Sequence, residues 1–145
     1  MPPKILIVDD HEVVRQGVRT ILRARPQWQV CGEAMNGREA VELAGKHDPD
    51  IIIMDITMPE MSGIEATEQI NRLGLRPAVL IFTMHESRSL LDVVRQVGAR
   101  GLVLKSRAAN DLIEALDTLM AGGTFFGADT LQGGGDQSSE RRAPA

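Results

Sequence analysis

Short runs of aliphatic residues recur along the chain at a steady interval. Val and Ile dominate these runs, and Gly, Pro or polar residues bound them, which is typical of β-strands. The runs predict five strands, over residues 4–8, 28–34, 50–55, 78–83 and 101–105. The runs ILIV, IIIM and VLIF show no alternation of apolar and polar positions. This pattern indicates central strands that are covered on both faces.

The segments between these runs show helical spacing of their apolar residues. A first helix is predicted by Val14, Val18, Ile21 and Leu22, and a last helix by Leu112, Ile113, Leu116, Leu119 and Met120. Weaker amphipathic segments lie near residues 37–46, 63–74 and 87–98. Five strands that alternate with five helices predict parallel βα units and a doubly wound α/β sheet.

The composition is that of an ordinary globular domain, with 145 residues, 43% of them hydrophobic and 25% charged. A net charge of −4 and the absence of Tyr argue against a basic or aromatic nucleic-acid surface, so this chain itself is expected to bind no nucleic acid. The single cysteine, Cys31, excludes an internal disulfide and a thiolate metal cluster. The first apolar run is too short for a signal peptide or a membrane span, so we expect no membrane association and a cytoplasmic location.

The alternation of strands and helices ends near Gly127. Residues 128–145 have almost no apolar content and are rich in Gly, Ser, Arg and Pro, which predicts a flexible linker or disordered tail. We therefore expect one domain over residues 1–127. Because the tail has neither the periodicity nor the basic helix of a helix-turn-helix, the chain is interpreted as a stand-alone domain or as part of a larger protein cut in its linker, and the second is favoured.

Polar side chains follow four of the predicted strands at the sheet edge where parallel α/β folds bind ligands. Asp9 and Asp10 follow the first strand, and Asp55, Thr83 and Lys105 end the third, fourth and fifth. Three carboxylates held together repel one another and favour Mg²⁺, which takes carboxylate, carbonyl and water oxygens. Lys105 is expected to neutralise Asp55. With both cations in place, Asp55 can attack a phosphoryl donor and become an aspartyl phosphate.

The segments ILIVDD, MDITMPEMSG, IFT and VLK, in this order, resemble the receiver domain of bacterial two-component response regulators. TMHESRSLL and GARGLVLK are most similar to the branch that carries a C-terminal LuxR-type helix-turn-helix. The resemblance covers about residues 4–127. It implies a flavodoxin-like (βα)5 fold with strand order 2-1-3-4-5. It also implies that the protein is a signalling switch and not an enzyme, and that its only reactions are Mg-dependent self-phosphorylation and autodephosphorylation. It also implies a sensor histidine kinase as partner, a possible homodimer through the fourth and fifth helices, and an origin in a transcription factor.

The resemblance gives four residues a role in phosphorylation and metal binding. Asp55 matches the phosphoacceptor, which is also a metal ligand. Asp10 matches the direct Mg²⁺ ligand, and Asp9 matches the acid that acts through water. The backbone carbonyl of Thr57 would complete the protein's share of the metal shell.

Further residues match the parts that sense the phosphoryl group. Thr83 matches the hydroxyl that moves toward this group, and Lys105 matches the lysine that pairs with it. Met84 and His85 follow Thr83 and are possible modulators of the switch. His85 is expected either to tune the access of water or to be a surface residue without a role. Leu102 stands where the family usually has an aromatic residue that rotates inward on activation. Leu102 is therefore expected either to weaken the switch or to reroute it through Thr83.

Several other functions are consistent with parts of this pattern. The aspartates alone could cap a turn and a helix, but together with Thr83 and Lys105 they favour a functional site. An aspartyl-nucleophile phosphatase would need D-x-D after the first strand and a cap insertion, whereas Asp9 and Asp10 are adjacent. A flavodoxin-type cofactor module would need a phosphate-binding loop where DDHE stands. A receiver-like module that binds proteins without being phosphorylated remains the alternative.

Overall fold

The computed structural model describes residues 2–126, which form six strands and five helices. In chain order these are β1 (Lys4–Val8), α1 (Glu12–Leu22), β2 (Gln29–Ala34), α2 (Gly37–His47), β3 (Ile51–Met54), α3 (Gly63–Arg72), β4 (Ala78–Thr83), α4 (Arg88–Gln96), β5 (Gly101–Leu104), α5 (Ala108–Met120) and β6 (Phe125–Phe126). The predicted linker or tail over residues 128–145 lies outside the described residues. None of the helices in the described part has the length and apolar character needed to span a membrane.

All strands of the sheet run parallel, in the order β2-β1-β3-β4-β5-β6. The predicted flavodoxin-like α/β fold and its strand order are therefore confirmed. The structure adds β6 at the edge of the five predicted strands, where Phe126 pairs with Leu102 of β5. A second difference is that β5 ends at Leu104, and Lys105 begins a 3-10 turn that runs to Arg107.

The core lies on both faces of the sheet, as the uninterrupted apolar runs predict. On one face, Ile7, Ile53 and Phe82 pack with residues of α1 and α5 such as Val18 and Leu116. The other face packs against α2, α3 and α4, with the cluster Leu6, Ile52, Ile81, Ala40, Ile70 and Val94. Successive residues of one strand point to opposite faces. This two-sided burial holds the central strands rigidly and fixes the positions of their ends.

The backbone hydrogen bonds at the carboxyl edge of the sheet continue past the strands. The Asp9 N–H donates to the carbonyl of Ala34 at 3.0 Å, and the Asp55 N–H donates to the carbonyl of Val8 at 2.9 Å. Asp9 and Asp55 are therefore held by the ladder itself although both follow the last strand residue. This arrangement brings two acids from neighbouring strands to one edge.

Candidate functional site

Four side chains that could hold a metal ion meet at the carboxyl edge of β1 and β3. One ligand atom from each of Asp9, Asp10, His11 and Asp55 lies within 4.8 Å of the others. Asp9 is 1% exposed and Asp55 is 6% exposed. Burial of carboxylates at such short range is unfavourable unless positive charge compensates them.

Lys105 supplies one positive charge to this group. Its Nζ lies 2.8 Å from Asp9 Oδ2 and 3.2 Å from Asp55 Oδ1, and its side chain is only 11% exposed. Burial alone would lower the pKa of Lys105, but the hydrogen bond that Lys105 donates to Asp9 and the charges of both acids outweigh burial and raise that pKa. Lys105 is therefore held in its charged form between the two carboxylates.

The pKa of Asp55 is raised above its usual value in spite of Lys105. Burial is the largest cause, and repulsion by Asp9 is the next. The attraction of Lys105 and the N–H of Ile56, which donates to Asp55 Oδ1 at 2.8 Å, offset these effects only in part. Protonation of Asp55 is therefore easier in this site than in water.

The oxygens of the acid pair fit a hard divalent cation. Asp10 Oδ1 is buried and accepts no hydrogen bond from any described residue, and such an oxygen normally has a partner. His11 Nδ1 lies 3.2 Å from it and forms an ion pair only when the imidazole is protonated. Carboxylate oxygens are the donors that Mg²⁺ prefers. The donor set at this edge thus fits the predicted ion.

The loop after Asp55 is fixed by close backbone contacts. The N–H of Gly63 donates to the carbonyl of Ile56 at 2.8 Å, and the N–H of Gly37 donates to the carbonyl of Met61 at 2.9 Å. A Cβ added at Gly63 would lie 1.9 Å from the carbonyl oxygen of Asp55. Only glycine fits at position 63, and the end of the loop after Asp55 therefore packs directly against the backbone of Asp55.

The other predicted site residues lie at or beyond this edge. Thr83 is buried at the end of β4, in register with Leu104, the residue before Lys105. Thr57, Met84 and His85 are exposed in the loops after β3 and β4. The structure therefore brings ligand atoms of Asp9, Asp10 and Asp55 within 4.8 Å of one another and Lys105 into contact with Asp9 and Asp55. Thr83 lies on the same edge.

Leu102 lies below this edge. It is fully buried in the cluster that contains Val94 and Phe126, and its partner in β4 is Ile81, two residues before Thr83. Leu102 is therefore part of the core between β5 and α4, and it does not line the acid group.

The sequence-based prediction gave no site role to two residues that lie near the site, His11 and Arg15. His11 was not among the predicted ligands, yet its ring stands beside both acids of the pair. Arg15 is buried, and its Nη1 donates to the carbonyl of Asp9 at 2.7 Å. One feature of the sequence indicates that Arg15 is buried. Arg15, Val18 and Leu22 are spaced at i, i+3 and i+7, so Arg15 lies on the same helix face as two buried residues.

Comparison with known proteins gives concordant results. A family model described as the response regulator receiver domain matches residues 5–117. The transcriptional regulatory protein YdfI of Bacillus subtilis (strain 168) is 39% identical over 129 residues, which are 89% of this chain and 60% of YdfI. The crystal structure of a LuxR-family two-component response regulator from Aurantimonas sp. SI85-9A1 is 36% identical. It has a TM-score of 0.83 over 89% of this chain and 92% of that chain.

A second solved structure is the isolated receiver domain of RcsB from Salmonella enterica serovar Typhimurium, studied with the phosphomimetic BeF3−. It is 29% identical, with a TM-score of 0.80 over 87% of this chain and 94% of that chain. This chain spans between 52% and 60% of the length of the first curated relatives that it matches. The similarity to the relatives thus concerns about half of each of them.

Proposed function

Because the chain belongs to the family of response regulator receiver domains, we propose that it is a signalling switch turned on by phosphorylation of Asp55. A sensor histidine kinase would be the donor. One observation carries this proposal: the nearly buried Asp55 carboxylate lies 3.2 Å from the Lys105 ammonium, within the group formed with Asp9 and Asp10. A buried acid with a raised pKa and a fixed cation is typical of a reactive site.

The contacts of Asp55 distinguish its two oxygens. The Ile56 N–H and the Lys105 ammonium both contact Oδ1, so Oδ2 is the oxygen that we propose as the nucleophile. A bond forms between Oδ2 and phosphorus while the bond from phosphorus to the leaving group breaks, and the leaving group takes the electron pair. The neighbouring residues contribute position and charge, which is most of what phosphoryl transfer requires.

The proposal includes a Mg²⁺ ion held by Asp10 and Asp55, by the backbone carbonyl of Thr57, and by Asp9 through water. When bound, the ion would offset the negative charge that accumulates when a phosphoryl group meets three carboxylates. The buried oxygen Asp10 Oδ1, which has no hydrogen-bond donor within the described chain, supports this assignment. Lys105 would then pair with a phosphoryl oxygen.

The proposed response to phosphorylation passes through Thr83. Its hydroxyl would donate to a phosphoryl oxygen and draw the end of β4 toward Asp55. Met84 and His85 follow in the exposed loop and are proposed to modulate the access of water to the phosphoryl group. The tight packing of Leu102 supports a route through Thr83, because a buried Leu has little freedom to change its position.

The curated relatives are transcriptional response regulators. We propose that this chain is likewise the regulatory part of a transcription regulator, with a receiver domain over residues 1–127 and a linker over 128–145. The chain itself would perform only self-phosphorylation and autodephosphorylation, and its proposed location is the cytoplasm. A homodimer through α4 and α5 is supported by the exposed Val93 and Met120 on these helices.

The experiment that tests the proposal is intact-mass measurement after incubation with a small-molecule phosphodonor, with and without Mg²⁺. Wild type should gain one phosphoryl group only when Mg²⁺ is present, and Asp55→Asn should gain none. The matched control is Asp111→Asn, which removes a carboxylate on α5 that pairs with Arg107, and it should be phosphorylated like wild type.

Absence of any mass gain in wild type, with Mg²⁺ binding shown separately by calorimetry, would refute phosphorylation of Asp55. The result would then favour a receiver-like module that binds partners without being phosphorylated. An equal gain in Asp55→Asn would instead show that another residue is the acceptor.

A further inference from the structure

Arg15 is a buried cation that lies beside the acid group without belonging to it. The residue is 8% exposed, although it belongs to α1 on the periphery of the fold. Its guanidinium makes three contacts: Nη1 donates to the carbonyl of Asp9 at 2.7 Å, Nε to Glu33 Oε1 at 2.8 Å, and Nη2 to Glu12 Oε1. Three contacts by one planar group leave it little freedom to rotate.

The two acids that hold Arg15 also hold Arg19. Arg19 Nη1 donates to Glu33 Oε2, and Nη2 lies 3.4 Å from Glu12 Oε2. The four side chains, Glu12, Arg15, Glu33 and Arg19, form a closed ring that we call the α1–β2 ring. Two positive and two negative charges make this ring neutral. It therefore adds little net charge to the acids at the sheet edge, and its effect on them has to be geometric.

The atom that Arg15 holds belongs to the peptide that joins Asp9 to Asp10. Asp9 is already fixed, because its N–H donates to the carbonyl of Ala34 and its Oδ1 accepts from the His11 N–H at 2.9 Å. Asp10 lacks comparable support, since its buried Oδ1 accepts no hydrogen bond in the described part of the chain. The orientation of the Asp9–Asp10 peptide thus decides where the Asp10 carboxylate points.

We propose that Arg15 is a positioning residue for the acid pair: by holding the Asp9 carbonyl it orients the following peptide and aims the Asp10 carboxylate at the cation. This inference rests on the proposed Mg²⁺ site. Mg²⁺ demands near-ideal octahedral geometry. Groups that orient metal ligands through hydrogen bonds commonly change metal affinity by about tenfold or more when they are replaced.

The test is calorimetric titration of Mg²⁺ into wild type, Arg15→Gln, Arg15→Lys and the matched control Arg19→Gln. Arg15→Gln is expected to bind Mg²⁺ about tenfold more weakly. Arg15→Lys keeps the charge but loses the planar fork, so it should also bind more weakly than wild type. Arg19→Gln opens the same ring without touching the Asp9 carbonyl, and its affinity should stay within about twofold of wild type.

A second measurement separates positioning from general loss of structure. With a small-molecule phosphodonor, the Mg²⁺ concentration that gives half of the maximal phosphorylation rate should rise in the Arg15 variants by about the same tenfold. At saturating Mg²⁺ the phosphorylation rate of the Arg15 variants should equal that of wild type, because the metal ligands and the nucleophile are unchanged. Folding of each variant is checked by circular dichroism. If Arg15→Gln does not fold, the Mg²⁺ affinity of Arg15→Lys tests the positioning role.

Mg²⁺ affinity equal to wild type in the folded Arg15 variants would overturn the positioning role while leaving the proposed function intact. An equal loss in Arg19→Gln would also overturn it, because the ring as a whole would then be responsible. If wild type binds no Mg²⁺ at all, the proposed metal site fails, and this inference fails with it.

Discussion

At the scale of single residues, the site is a set of charges that the fold holds close together against their repulsion. Asp9 and Asp55 are nearly buried, and Lys105 contacts both. The pKa of Asp55 is raised first by burial and next by the charge of Asp9, an imbalance that Lys105 offsets only in part. A proton, a metal ion or a charged partner that relieves this imbalance is therefore bound more readily here than on an ordinary surface.

The raised pKa of Asp55 predicts that Asp55→Asn stabilises the protein at neutral pH in the absence of divalent ions. At pH values below 3.8, the ordinary pKa of Asp, wild-type Asp55 is protonated in both the folded and the unfolded state. The difference in stability between wild type and Asp55→Asn is then smallest. As the pH rises from there through the raised pKa, the folded state binds more protons than the unfolded state, so wild type loses stability relative to the variant. Urea unfolding with a chelator at a series of pH values measures this difference.

Asp50→Asn is a control that should change the stability at neutral pH in the opposite direction. Burial alone would raise the pKa of Asp50, but hydrogen bonds from the Lys4 N–H and from Arg76 outweigh it and lower that pKa. Asp50→Asn should therefore lose stability at neutral pH. This deficit should vanish as the pH falls through the lowered pKa. The charge argument for Asp55 is wrong if its variant shows the same pH dependence as the Asp50 variant.

At the scale of elements, the connection from β3 to α3 positions Asp55. Ser62 accepts from the N–H of Glu65 at 3.1 Å, and the Glu65 side chain accepts from the N–H of Ser62, so a capping box fixes the start of α3. Gly63, the first residue of the helix, packs directly against the carbonyl of Asp55. The start of α3 and the backbone of Asp55 therefore cannot move independently.

Gly63→Ala is predicted to destabilise the protein by about 3 kcal/mol, because its Cβ would overlap the backbone of Asp55 and only movement of that backbone relieves the overlap. Gly17→Ala in α1 is the matched control. A Cβ there meets no atom within 4 Å, and Ala is favoured over Gly in a helix interior, so stability should rise by about 1 kcal/mol. Urea unfolding of both variants measures the difference, and a similar change in the two would contradict the close approach at Gly63.

The elements also show how far the sequence was informative. The runs ILIV, IIIM and VLIF predicted β1, β3 and β4 because buried parallel strands need continuous apolar residues. The rule that ligands bind at strand ends was then enough to place Asp9, Asp55 and Lys105 on one edge of the sheet. Strand β6 was missed because a pattern cannot show in two residues, Phe125 and Phe126.

Arg15 was missed for a different reason. Its burial depends on Glu33, which lies 18 residues further along the chain. The two meet only because of the register of β1 and β2, which includes an irregularity between Ile5 and Leu6. Local periodicity holds no information on such a shift. The spacing places Arg15 on the apolar face of α1 but does not show which residues it contacts there.

At the scale of the whole molecule, the site exists only in the folded chain. Its members extend from Asp9 to Lys105 and come from separate strands, and the sheet, buried between α1 and α5 on one face and α2, α3 and α4 on the other, holds them together. Asp9, Asp55 and Lys105 are far apart along the unfolded chain. Binding of a cation at the acid group is therefore linked to folding of the entire domain.

This linkage predicts that Mg²⁺ stabilises the whole domain through one small site. A ligand that binds only the folded state adds about 2.7 kcal/mol to the free energy of unfolding at one hundred times its dissociation constant, so wild type should gain this amount in urea unfolding. Asp10→Asn should gain almost nothing, because the amide lacks the negative charge of a carboxylate whose buried oxygen has no hydrogen-bond partner among residues 2–126. Asp117→Asn, which removes an exposed acid paired with Arg25, should gain as much as wild type. Equal gains in all three proteins would mean that Mg²⁺ acts on the general surface charge, and the acid group would then not be a metal site.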